Sequence, residues 1–190
     1  MTLGLFFGSF NPIHNGHLII ANLLPQLGYV DKTLIIVSPQ SPFKSKEELE
    51  SFNHRLTMCK LATENSQFIE VSDIESKLPL PSYTYQTLRE LKKRYPQHKL
   101  KIIIGSDSYL TLPMWKNFNE LKQYEFLIYQ RPNFKVYSLY SENHQIVRNT
   151  PLLHISATMI RKFISQNVDI SYLVPDTVKN YIISHRLYTP

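Results

Sequence analysis

Two histidines three positions apart, His14 and His17, close the stretch GSFNPIHNGH, residues 8–17, directly behind the apolar run Leu3 to Phe7. A turn between a strand and a helix needs one glycine or proline and has no use for paired imidazoles. Gly8 lets backbone amides come close to an anion, and a helix that starts here offers free N–H groups and its positive dipole end to the same anion. At the helix start, His14 and His17 can donate hydrogen bonds to oxygens that gain charge during a reaction. A zinc pair fits less well, because two histidine ligands on one helix face sit at i and i+4 and a third ligand is needed. The plain alternative is two surface histidines beside a tight turn.

These groups need a scaffold, and the hydropathy pattern describes one. Apolar β-rich runs recur at Leu3 to Phe7, Thr33 to Val37, Phe68 to Val71, Leu100 to Ile104 and Glu125 to Tyr129, with helix-period segments between most of them. That alternation predicts right-handed βαβ units and an α/β fold, a Rossmann-like doubly wound parallel sheet of about five or six strands. Runs such as LIIV and KIIIG do not alternate in polarity, so these strands are covered on both faces. Helices are predicted from about His17 to Gly28, from about 47 to 65 and over TYQTLRELKKRY, the last capped by Ser82 or Thr84. Past Thr150 the reading is a short strand LLHIS, a helix ATMIRKFISQ capped by Ser156, and a final helix opened by Pro175. Residues 1–190 then form a single domain, with 157–190 a C-terminal helical segment packed on it; 133–150 reads as a hairpin or a long loop. Ligands of such sheets bind at the carboxyl ends of the strands, and Gly8, Gly16 and Gly105 cluster there.

Composition narrows the classes of function. An apolar content of 43% and a charged content of 19% are ordinary for a globular chain of 190 residues. The net charge of +6 suits a polyanionic ligand, but no basic stripe with interleaved aromatics points to nucleic acid, despite twelve tyrosines. Cys59 is the sole cysteine, which excludes an intramolecular disulfide and reads as a small buried hydrophobe. The N-terminal apolar run is too short for a signal peptide or membrane span, so a cytoplasmic protein with no membrane partner is expected.

The stretch GSFNPIHNGH resembles the GGTFDPIHxGH signature of the nucleotidylyltransferase superfamily, with Asn11 where the family usually has aspartate. Further matches along the chain resemble its nicotinate-nucleotide adenylyltransferase family. The resemblance implies ATP contacts from Gly8, Ser9, Phe10, His14 and His17. SPQSPFKSK places Lys44 on a proline-pinned loop where a lysine of the family reaches the phosphates; Phe43 holds the place of a histidine, and a mobile basic loop of Lys44 and Lys46 is the alternative. His54 and Arg55 resemble the family's helix motif, with Arg55 either a ligand or an inward-facing ion-pair partner. SYTYQTLREL resembles SYTxDTL, whose threonine region lines the nicotinate pocket: Tyr83 and Thr84 match, and Gln86 replaces the aspartate. In IIIGSDSYLTLPMW, Gly105 permits close approach, Asp107 can accept from ribose hydroxyls or help hold a metal-bound phosphate, and Trp115 either stacks on a pyridine ring or packs in the core. ISATMIRKF resembles ISSTxIR, clustering Ser156, Thr158 and Arg161 as a second anion cradle, with Ala157 in place of a serine.

The implied reaction is adenylyl transfer from ATP to nicotinate mononucleotide, giving deamido-NAD and pyrophosphate. It needs no covalent nucleophile, and His14, His17, Lys44 and Arg161 share the stabilisation of charge. Mg²⁺ arrives with ATP, with no protein metal ligand assigned. The rivals are a related transferase that uses nicotinamide mononucleotide or phosphopantetheine, and a non-catalytic module that binds nucleotides or nucleic acid with a salt-dependent affinity.

Overall fold

Five parallel pairings build the sheet. The computed structural model describes residues 1–40 and 49–189. Strands β1 (Thr2–Gly8), β2 (Lys32–Val37), β3 (Ile69–Ser72), β4 (Lys99–Gly105), β5 (Glu125–Tyr129) and β6 (His144–Ile146) lie in the order β3-β2-β1-β4-β5-β6, every neighbouring pair parallel. This is the doubly wound order, and its direction reverses between β1 and β4. Helices α1 (Asn15–Gln26), α2 (Phe52–Thr63), α3 (Thr84–Arg94), α4 (Ser106–Leu110), α5 (Phe118–Leu121), α6 (Ala157–Ser165) and α7 (Asp176–Ser184) complete the layers.

The period-2 geometry of a strand divides each apolar run between two cores. Phe6, Ile35, Val37, Ile103 and Leu127 face one side, where Ile20 and Leu24 of α1, Met58 and Cys59 of α2, Ile160 of α6 and Val178 of α7 cover them. Leu5, Leu34, Ile36, Ile102, Ile104, Phe126 and Ile128 face the other, under Leu88 and Leu91 of α3, Tyr109 of α4 and Leu121 of α5. Cys59 is fully buried, and burial pushes its thiol far above the usual range. No helix among the described residues is long and apolar enough to cross a membrane.

Several local expectations need correction. LLHIS is not a strand; residues 151–156 form neither helix nor strand, and the sixth strand is His144–Ile146, inside 133–150. It pairs parallel to β5, so this region is neither a hairpin nor merely a loop. The second helix starts at Phe52, because Ser51 accepts from the His54 N–H (3.3 Å) as its N-cap. The third has Tyr83 at its N-cap with no side-chain hydrogen bond, so neither Ser82 nor Thr84 caps it; Ser82 is buried beside Glu75. At α6 the expected cap is present, Ser156 Oγ accepting from the Met159 N–H at 3.2 Å.

Two buried imidazoles are built in neutral. His14 caps α1, its Nδ1 accepting from the His17 N–H (3.3 Å), and burial is the main cause that lowers its pKa to about 3. His144 faces the Lys122 carbonyl with Nε2 (3.0 Å), so that nitrogen carries the proton and Nδ1 accepts from the Tyr109 hydroxyl (2.7 Å), which itself accepts from the Tyr140 N–H (2.8 Å). Burial lowers its pKa as well. In the unfolded chain both titrate near 6.5, so below that pH the unfolded state binds more protons than the folded one. Stability is therefore full above pH 6.5 and falls progressively toward pH 3, His14 alone removing about 2 kcal/mol at pH 5. Urea midpoints at pH 7 and pH 5 check this: the midpoint drops, and the drop shrinks in His144→Gln. Equal midpoints would mean that the imidazoles fold charged.

Candidate active site

The carboxyl ends of β1 and β4, where the strand order reverses, open onto a cavity of about 280 Å³. One wall is the loop from β1 into α1. Phe10 takes a left-handed φ of +46° that brings its ring onto Gly8, where a Cβ would stand 2.9 Å from it. Asn11 is buried in the same wall, where its Oδ1 accepts from the Glu50 N–H (3.1 Å) and the Tyr188 hydroxyl (2.9 Å). His14 and His17 stack with centroids 3.6 Å apart, and His17 also meets the edges or faces of Phe6 and Phe10 at 5.9 and 5.0 Å. Gly16 is required between them, because a Cβ there would press on the His14 ring at 3.0 Å. With His14 Nδ1 occupied as acceptor, its Nε2 carries the proton and is a neutral donor.

The opposite wall comes from β4, β5 and α6. A Cβ on Gly105 would collide with Asp107 Oδ1 and stand 3.1 Å from the Tyr129 hydroxyl. Asp107 lies 3.8 Å from Arg131 Nε, and Arg131 follows the end of β5, with its backbone N–H on Ser106 Oγ (2.9 Å). Burial pushes the Tyr129 hydroxyl up to about 12, so it stays protonated beside that pair. The N-terminus of α6 brings Ser156, Thr158 and Arg161 to the same cavity, and Arg161 donates from Nη1 to the Asn11 carbonyl (2.8 Å). Two helix N-termini thus face one space, flanked by two guanidiniums.

A second cavity of about 600 Å³ adjoins it, with Gly8, Ser9, Ser108 and Trp115 lining both. Tyr83, Thr84, Met114 and Lys116 line the larger space, and Glu75 is buried in its wall with Oε1 accepting from the Thr87 hydroxyl (2.8 Å). Burial raises the Glu75 pKa, the Ser38, Thr87 and Ser82 hydroxyls offsetting only part of it. Trp115 is half-buried, packs against the second core and also lines both cavities.

Ser9, Phe10, His14, His17, Gly105, Asp107, Ser156, Thr158 and Arg161 therefore meet in one cavity, and Tyr83, Thr84 and Trp115 in its neighbour. Lys44, with Phe43 and Lys46, lies outside the described residues. Arg55 forms no ion pair among the described residues and is not seen to line either cavity: buried, it donates to the carbonyls of Glu50 (2.8 Å), Ser9 (2.6 Å), Ser38 (2.7 Å) and Pro39 (2.8 Å). His54 points elsewhere, its Nδ1 2.9 Å from the Tyr181 hydroxyl of α7. Sequence reasoning missed Arg131, Glu75 and Lys116. Arg131 had a usable signal, since it lies just past the carboxyl end of a predicted strand.

Residues 5–163 match the model of the cytidylyltransferase-like family. A protein of Cytophaga hutchinsonii, described as a "probable nicotinate-nucleotide adenylyltransferase", is 42% identical over 192 residues, covering 100% of this chain and 99% of its own. One from Flavobacterium johnsoniae with the same description is 39% identical over 99% of each chain. The structure of Plasmodium falciparum nicotinic acid mononucleotide adenylyltransferase complexed with NaAD superposes with a TM-score of 0.85 at 25% identity, over 98% of this chain and 97% of that one. With this site, this strand order and these relatives, the chain belongs to the cytidylyltransferase-like family, among its nicotinate-nucleotide adenylyltransferases.

Proposed function

We propose that the chain transfers the adenylyl group of ATP to nicotinate mononucleotide, releasing pyrophosphate and deamido-NAD in the synthesis of NAD. The observation that carries this reading is the pair of joined cavities: one built for phosphate, between the N-termini of α1 and α6, the other long enough for a second nucleotide and walled by an indole. A phosphate oxygen of the mononucleotide attacks the α-phosphorus in line, the bond to the β-phosphate oxygen breaks, and its electrons leave with pyrophosphate.

No side chain forms a bond in this step, so the residues act by position and charge. His14, neutral with its Nε2–H free to donate, holds one phosphate oxygen, and His17 stacked on it holds a neighbour. Arg161 and Arg131 neutralise charge as it moves to the leaving group, and Lys44 is assigned a share of this. Gly8, Ser9 and Phe10 bring backbone to the phosphates, Gly105 and Asp107 face the ribose, and Ser156 and Thr158 supply the second cradle. Tyr83, Thr84 and Trp115 hold the pyridine nucleotide. Mg²⁺ enters as part of the ATP substrate: among the described residues no three His, Cys, Asp or Glu side chains converge, and Asp107 is the one carboxylate in the phosphate cavity, which fits an ion held chiefly by phosphates and water. The cytoplasm is the compartment this reading assigns.

Pyrophosphate release, measured with ATP and Mg²⁺ against nicotinate mononucleotide, nicotinamide mononucleotide and phosphopantetheine in parallel, tests the reading; fastest release with either of the last two refutes it. His17→Ala lowers kcat about 10²- to 10³-fold in a folded protein, the loss expected for a preorganised donor. Near-normal turnover would remove His17 from the step. Trp115→Ala raises KM for the mononucleotide and changes KM for ATP little; equal effects on both, or a large fall in Tm, would make the indole a core residue only.

A further inference from the structure

Within the larger cavity one side chain has the charge to read the substrate's acid group. Among the described lining residues Lys116 is the only cation, and it forms no ion pair with any described residue. Its ammonium stands 4.4 Å from the centroid of the Tyr83 ring, which seats it at the cavity wall without neutralising it. Trp115, the residue before it, is fixed against the core, so the start of the Lys116 stem is anchored.

We infer that Lys116 is a specificity-determining residue, whose ammonium pairs with the carboxylate of the pyridine ring and so favours the acid over the carboxamide. A carboxylate and a carboxamide have almost the same shape, so packing against Trp115 cannot separate them; charge can. Glu75 lies in the same wall and would oppose an anion if ionised. Burial holds it toward the neutral acid and the hydroxyls of Ser38, Thr87 and Ser82 offset only part of this, so Lys116 sets the sign of the cavity. The Tyr83 ring has a second part in this: it holds the ammonium in place before substrate arrives, which lowers the entropy lost on pairing.

This inference rests on the proposed reaction, and the test separates the two. The ratio of kcat/KM for nicotinate mononucleotide to that for nicotinamide mononucleotide is measured in the wild type, Lys116→Ala and Lys116→Arg at low and high salt. The alanine variant lowers the ratio about fivefold through KM for the acid substrate, with KM for ATP unchanged, while the arginine variant retains most of it. High salt lowers the wild-type ratio more than that of the alanine variant. An unchanged ratio in Lys116→Ala, or an equal rise in KM for ATP, overturns the role of Lys116. A wild type that releases no pyrophosphate with either mononucleotide overturns the reaction itself.

Discussion

A buried guanidinium holds the two halves of the phosphate loop region together. Arg55 reaches out from the first turn of α2 and donates to four carbonyls that belong to three separate segments: Ser9 after β1, Ser38 and Pro39 after β2, and Glu50 before its own helix. These carbonyls sit where the chain leaves the sheet and the ladder can no longer pair them, so each needs a donor or bears the cost of burial. Only arginine presents several N–H groups in a rigid fork that spans such a set, and lysine has neither the reach nor the plane. The Ser9 carbonyl is fixed by this contact, and with it the backbone from Gly8 to Asn11 that lines the cavity.

From that fixed loop the spacing of the two histidines follows. His14 lies at the N-cap, where its Nδ1 shares the His17 N–H (3.3 Å) with its own carbonyl (2.9 Å), and this leaves Nε2 as the donor. His17, one turn later, stacks on it, and the ring-to-ring distance leaves no room for a Cβ at Gly16. The sequence H-x-G-H is thus a packing solution as much as a chemical one. Asn11 fits the same account: with its side chain on Glu50 and Tyr188 and its carbonyl on Arg161, it joins the loop to the C-terminal segment, a task that an amide oxygen performs without adding charge.

The sheet was legible where strands are long and apolar, because runs such as LIIV and KIIIG leave little choice but burial on both faces. β6 was not, since three residues of mixed polarity carry no periodicity; parallel pairing to β5 and the Tyr109 contact of His144 put it there. LLHIS misled for the opposite reason, an apolar look on a segment whose Leu152 is exposed and which joins no strand of the sheet. At the site, residues at motif spacing were found, and the doubly wound order explains why distant motifs meet. Arg55 and Glu75 were beyond reach because their roles depend on carbonyls and hydroxyls of other segments, which no local pattern encodes. Arg131 was missed although the rule that ligands gather at strand carboxyl ends pointed to it.

The distribution of charge across the cavity completes the chemical division of labour. A triphosphate brings several negative charges into a space where His14 is held neutral and His17 is stacked against it. In the proposed reaction the His14 imidazole gives direction, not charge: it fixes which oxygen is held and at what angle. In that proposed step the charge that moves to pyrophosphate as the bond breaks falls to the guanidiniums, and among the described residues of the cavity these are Arg131 and Arg161. Their anchors differ. Arg161 is tied to the loop through the Asn11 carbonyl, while Arg131 leans at 3.8 Å on Asp107, whose carboxylate limits its field on one side. The net charge of +6 is therefore less informative than the placement of these two guanidiniums, both in the cavity at the strand-order reversal onto which the N-termini of α1 and α6 open.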